Sequence, residues 1–211
     1  MLASGGQRDE KETTMADAES RILVLSAQPE QASEFIQRIH ALGAAHPNPA
    51  APAAVAAAAG PSATIPWTIA NKYYTAPVHF QTRLLPDFRQ SHADRVPAVV
   101  YVWRRGEPFR QHVLDIANEL KHHDPEVSLA VRFGGADTED DDSVDDFLAQ
   151  HGFEYIDADP QRARDVPTLS EHPDLDAERG IPGLPRVIDA LSTIMWPSLV
   201  PSNRTRTRQS R

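Results

Sequence analysis

The sequence predicts an α/β fold in which a mostly parallel sheet carries helices on both faces. Two apolar runs of strand length, Ile22–Leu25 and Ala98–Trp103, lack the alternation of a half-exposed strand and so match strands buried on both faces. A segment with helical periodicity follows each of them. Between them, Trp67–Leu85 alternates imperfectly and is rich in Tyr, Thr, Val and Phe, the composition of two adjacent paired strands.

The polar opening, residues 1–20, contains no periodic apolar set and is expected to be a disordered leader. After the strand at Ile22–Leu25, Pro29 suits a first helical turn. Ala32, Phe35, Ile36, Ile39 and Leu42 then recur at helical spacing, and Gly43 supplies the stop. Residues 44–63 are Ala/Pro-rich and predict a flexible loop. The strand pair comes next, with its junction expected near Tyr74–Pro77 and Pro77 at an edge or a strand start. Beyond Ala98–Trp103, a helix opening at Pro108 places Phe109, Val113, Ile116, Ala117 and Leu120 on one face, and Pro125 closes it. Val127–Phe133 is the following strand. Ser143 and Asp146 have capping-box spacing, and Gly152 ends that helix before a strand at Phe153–Ile156. The last helix starts near Pro185, with Leu184, Val187, Ile188, Leu191, Ile194 and Met195 as its apolar set and Trp196-Pro197 as its end. This order of elements is that of a small-GTPase-like (Rab-like) domain over residues 21–200, followed by a disordered basic tail at 201–211. A flavodoxin-like wrap also fits the elements after residue 85, but the adjacent strands before it favour the first topology.

A length of 211 residues with 40% hydrophobic content suits one domain with extensions. With no Cys there is no disulfide, thiol nucleophile or thiolate metal site. The opening lacks a signal-peptide pattern and no segment offers about 20 unbroken apolar residues, so a cytosolic protein without membrane insertion is expected. A net charge of −9 argues against a nucleic-acid partner, which needs a dense basic face. The arginines at 204, 206, 208 and 211 form a short terminal run that is expected to be solvated.

In such a sheet a ligand sits at the carboxyl ends of the strands, first at the turn after Leu25. Nucleotide hydrolysis there requires G-x-x-x-x-G-K-S/T, whose amides and lysine hold phosphate. This chain has Ser26-Ala27-Gln28-Pro29-Glu30-Gln31-Ala32-Ser33. Both glycines and the lysine are missing, Pro29 removes an amide donor, and Glu30 sets a negative charge where phosphate would approach. One unit charge near 4 Å is worth up to about 4 kcal/mol at an effective dielectric of 20, so the exchange of Lys for Glu costs several decades of affinity. Guanine selection fares no better: Phe133-Gly134-Gly135-Ala136-Asp137 replaces the expected Asn-Lys-x-Asp, and Asp87-Phe88-Arg89-Gln90 is the nearest approach to Asp-x-x-Gly. The fold is therefore expected without a functional P-loop and without a cofactor.

The most distinctive stretch is Trp67-Thr68-Ile69-Ala70-Asn71-Lys72-Tyr73-Tyr74. Large amphipathic aromatics bury much area at little rotamer cost, so this cluster is either core or a docking surface. Alternation puts Tyr73 and Tyr74 on opposite faces. The stretch resembles the Trp-Thr-Ile-x-Asn-Lys-Tyr-Tyr signature of the alpha- and gamma-adaptin-binding protein family. Two further segments are similar to that family: His151–Glu154, and the helix from Arg186 through Ala190 and Leu191 into Trp196. The resemblance covers roughly Ile22–Val200, and Ala70 stands where members commonly carry an acid. It implies a pseudo-GTPase domain that is non-catalytic and assists assembly of the clathrin adaptor complexes AP-1 and AP-2 in vesicle trafficking. Its partners would be adaptor subunits, both adaptins and small sigma subunits, with Trp67, Asn71, Lys72, Tyr73 and Tyr74 as candidate partner-binding residues. Members usually continue into a carboxy-terminal helical region that contributes to binding and self-association. A degenerate GTP-binding switch and a scaffold unrelated to adaptors remain the alternatives.

Other groupings have bland readings. The acids Asp137, Glu139, Asp140, Asp141, Asp142, Asp145 and Asp146 fail as a calcium loop, because the sixth position is Asp142 instead of Gly and the twelfth is Leu148 instead of Glu. They suit a solvated loop and a helix amino terminus. His122, His123 and Asp124 are consecutive and project about 100° apart on a helix, so they do not converge on one ion. No G-x-S-x-G elbow is present, and no enzyme activity is expected.

Overall fold

The computed structural model describes residues 19–44, 64–134, 141–158 and 183–202. Most of the expected leader and of the Ala/Pro-rich loop, part of the acidic loop and most of the basic tail lie outside them. Among the described residues the chain forms seven strands and four helices. These are β1 (Arg21–Ser26), α1 (Pro29–Ala44), β2 (Thr64–Ala70), β3 (Tyr74–Leu84), β4 (Ala98–Arg104), α2 (Arg110–Leu120), β5 (Val127–Phe133), α3 (Asp141–Gln150), β6 (Glu154–Asp157), α4 (Leu184–Leu191) and β7 (Val200–Pro201). The sheet runs β2-β3-β1-β4-β5-β6, with β7 also on β3. Strands β3, β1, β4, β5 and β6 are mutually parallel, whereas β2 and β7 pair antiparallel with β3. The fold is thus α/β with a mostly parallel mixed sheet.

Successive residues of the central strands feed two cores, as the period of two requires. Ile22 and Val24 of β1 and Ala98, Val100 and Val102 of β4 join Phe35, Ile36 and Ile39 of α1 and Val187 and Leu191 of α4 on one face. Leu23, Leu25, Val99, Tyr101 and Trp103 join Val113, Ile116 and Leu120 of α2 and Val144 and Leu148 of α3 on the other. Each such side chain contributes about 1.5–3 kcal/mol by leaving water. Tyr101, Trp103 and Phe109 stack in series with centroids 5.3 Å apart. The buried residues of β2 and β3 all belong to the first core, so the outer half of the sheet packs on one side only among the described residues.

Several boundaries differ from those the sequence suggests. The β2–β3 junction lies at Asn71–Tyr73, ahead of the expected Tyr74–Pro77, because Asn71 organises the turn with its side chain. Pro77 sits inside β3 instead of at its start. The bond from Asn71 N to Tyr74 O makes that pair hydrogen-bonded, so by alternation Thr68↔Pro77 is a non-bonded pair and the absent proline N–H points away from β2. On that other side β1 begins only opposite His79, and no ladder bond is lost. The helix expected from Pro108 begins at Arg110, with Phe109 as its N-cap. The last helix ends at Leu191, because Ser192 and Thr193 turn their hydroxyls onto the preceding carbonyls of Ile188 and Ala190. Met195 therefore leaves the apolar face and is 76% exposed, while Trp196 turns inward and donates Nε1–H to the Leu191 carbonyl at 2.9 Å.

Candidate functional site

The five candidate residues share one hairpin but occupy different environments. Trp67 is core: its ring stacks on Phe80 at 5.1 Å and it is 9% exposed. Asn71 is a turn builder whose Oδ1 accepts from the amides of Tyr73 and Tyr74, each at 2.9 Å. Tyr74 points into the structure, where its hydroxyl donates to the Ser192 carbonyl at 2.6 Å and ties the hairpin to the end of α4. Burial raises the Tyr74 phenol pKa above its ordinary value. Lys72 and Tyr73 form the tip. Tyr73 is 68% exposed, the Lys72 ammonium lies 4.7 Å from its ring centroid, and the phenol beside it holds that ammonium above the usual lysine range. The tip is braced from behind, since Ser202 N donates to the Tyr73 carbonyl at 2.7 Å and β7 pairs with Tyr74 and Thr75. Val200, 57% exposed, continues the apolar surface beside it.

At the opposite end, the turn between β1 and α1 is filled by the chain's own side chains. Ser26 Oγ donates to the Gln28 carbonyl at 2.7 Å, and Gln28 N donates to Gln31 Oε1 at 3.3 Å. Gln31, 1% exposed, donates its Nε2 to Glu107 Oε2 at 2.7 Å. That same oxygen accepts from Arg104 N at 3.0 Å. Gly106, with φ of 83°, supplies the left-handed step that turns the segment after β4 back so that Glu107 reaches Gln31. Arg104, at the end of β4, is held by Glu34 at 2.8 Å, and Glu34 also pairs with Arg38. A carboxylate and a buried amide thus stand where a phosphate-binding loop would offer amides and a lysine.

A third grouping lies at the carboxyl ends of β4, β5 and β6. Asp157 Oδ2 takes Arg105 at 2.5 Å and Arg132 at 3.2 Å, and the 2%-exposed Arg132 stacks its guanidinium 5.1 Å from the Tyr155 centroid. Sequence reasoning missed this cluster because its members are 25 and 52 positions apart. Gln31 and Glu107 were missed for the same reason. A cleft of about 470 Å³ beside α2 is lined by Leu85, Phe88, His112 and Asp115, over a Tyr101–His112 contact of 3.0 Å. Burial, with help from the Glu107 charge, pushes the Tyr101 phenol far above its usual range, so it stays neutral. Among the described residues no three His, Asp or Glu gather as metal ligands, and no helix is long and apolar enough to cross a membrane.

No model of a known protein family matches the chain, and a search of curated proteins returns no match.

Proposed function

We propose that this chain is a non-catalytic, cytosolic adaptin-binding protein. In this reading a small-GTPase-like scaffold holds clathrin adaptor subunits, adaptins or small sigma subunits, during complex assembly. The strand order β2-β3-β1-β4-β5-β6 with an antiparallel β2 supports the scaffold assignment. The single observation that carries the docking role is the Lys72–Tyr73 tip. It is an exposed aromatic beside a cation, on a turn fixed by Asn71 and braced by Ser202, and such pre-ordered aromatics make interface anchors at little entropic cost. Trp67, Asn71 and Tyr74 support the tip from inside.

The test is co-purification of the full-length chain with an adaptor small subunit or a large-subunit trunk. Wild type is expected to retain the subunit, whereas Tyr73→Ala and Lys72→Glu lose it while melting as wild type does. A complex unchanged by both substitutions removes the interface assignment. The same strand order would also suit a degenerate GTP-binding switch, against which the Gln31–Glu107 contact weighs directly.

A further inference from the structure

The amino-terminal end of the parallel strands, opposite the β1–α1 turn, holds a cavity of about 380 Å³. Val96 and Ile194 floor it, and Met195, the most exposed large apolar side chain among the described residues, stands at its rim. Glu19, Asp124 and Glu126 edge it, together with one cation, Arg95. Arg95 is spent on Glu19 at 3.6 Å, whereas Asp124 and Glu126 have no ion-pair partner among the described residues. Its apolar floor and one buried ring nitrogen set the cavity apart from a plain acidic rim. His123, which lines it, has its Nε2 buried without a hydrogen-bond partner among the described residues. A ligand for this site needs positive charge for two free carboxylates and an aliphatic portion for Met195.

The chain carries such a sequence shortly after Pro197. Arg204, Arg206 and Arg208 alternate with threonines, so an extended backbone would set three guanidinium groups on one side, each on an aliphatic stem. Pro197 lines the cavity and Ser202 follows five residues later, which keeps the two within about 18 Å. The nine residues 203–211 reach about 30 Å beyond Ser202 when extended, enough to return to the cavity. We propose that segment 203–211 is the occupant of this cavity in the same molecule, with its arginines on Asp124 and Glu126 and their stems against Met195.

The test uses full-length protein and a fluorescently labelled peptide of residues 203–211, followed by anisotropy at low salt. A full-length variant with Arg204, Arg206, Arg208 and Arg211 all replaced by Ala leaves the cavity open. It should bind the peptide at least about ten-fold more tightly than wild type, whose own segment competes. Adding Asp124→Asn and Glu126→Gln, both at exposed positions, should weaken peptide binding by about ten-fold, while Asp115→Asn at the distant cleft should change it less than about two-fold. Equal affinity for wild type and the alanine variant overturns the proposal. So does an equal loss from Asp115→Asn, which would signify general attraction to an acidic surface. Competition in wild type that grows with protein concentration also overturns it, by assigning the occupant to a second copy.

Discussion

Tyr73 and Tyr74 are neighbours with opposite environments, and single substitutions should separate them. Tyr73→Ala removes an exposed ring and is expected to leave stability within about 0.5 kcal/mol. Tyr74→Phe deletes the bond to the Ser192 carbonyl and should cost about 1 kcal/mol in chemical denaturation, without creating a cavity. Trp67→Ala opens a hole against Phe80 and should cost about 3–5 kcal/mol. A histidine gives a pH signature. Burial lowers the His40 pKa below its ordinary 6.5, so as pH falls the unfolded chain takes up that proton first. The stability tied to the neutral ring is present in full above about pH 6.5 and is lost as pH drops toward the folded pKa. His40→Leu should therefore flatten the fall in melting temperature between about pH 7 and about pH 5.5. Some slope should persist, because burial and nearby arginines lower His92 in the same direction. That one tyrosine would face inward was legible from alternation; which one was not, because the choice depends on Asn71 fixing the turn and on a carbonyl 118 positions away.

The turns after β1 and β4 form one unit, joined by Gln31 and Glu107. Glu107→Ala should strand the buried Gln31 amide and the Arg104 N–H, at a cost of about 1–3 kcal/mol in urea unfolding. Pairing it with Gln31→Leu removes both partners at once, so the double variant should be more stable than the sum of the two single losses implies. Additive losses would show that the two side chains are not coupled. The buried strands were legible in the sequence because a run such as Ile22–Leu25 has one physical explanation, and all four residues are fully buried. Helix ends were less so. Met195 fits the apolar period of α4, but the hydroxyls of Ser192 and Thr193 bond back to the backbone and end the helix before that period reaches it. The Arg132–Asp157 pairing could not be read locally at all, since an arginine inside the apolar stretch Val127–Phe133 gives no sign of which strand holds its counter-charge.

For the whole molecule, two ends of one sheet carry different chemistry. The amino-terminal end gathers Tyr73, Met195 and Val200, three of the four large apolar side chains exposed among the described residues. The carboxyl end, where α/β sheets commonly hold ligands, places a self-bonded glutamine and an acid at the first turn. The missing glycines and lysine were visible in the sequence. The replacement itself was not, because Glu107 arrives from the turn after β4, 76 positions from Gln31. On the proposed reading, this arrangement leaves the fold without nucleotide binding and free to engage proteins. Calorimetric titration of the full-length chain with GTP and GDP in the presence of magnesium tests it most directly. No saturable heat is predicted up to about 1 mM nucleotide, a limit of about −4 kcal/mol. Saturable, magnesium-dependent binding at micromolar nucleotide would contradict the account.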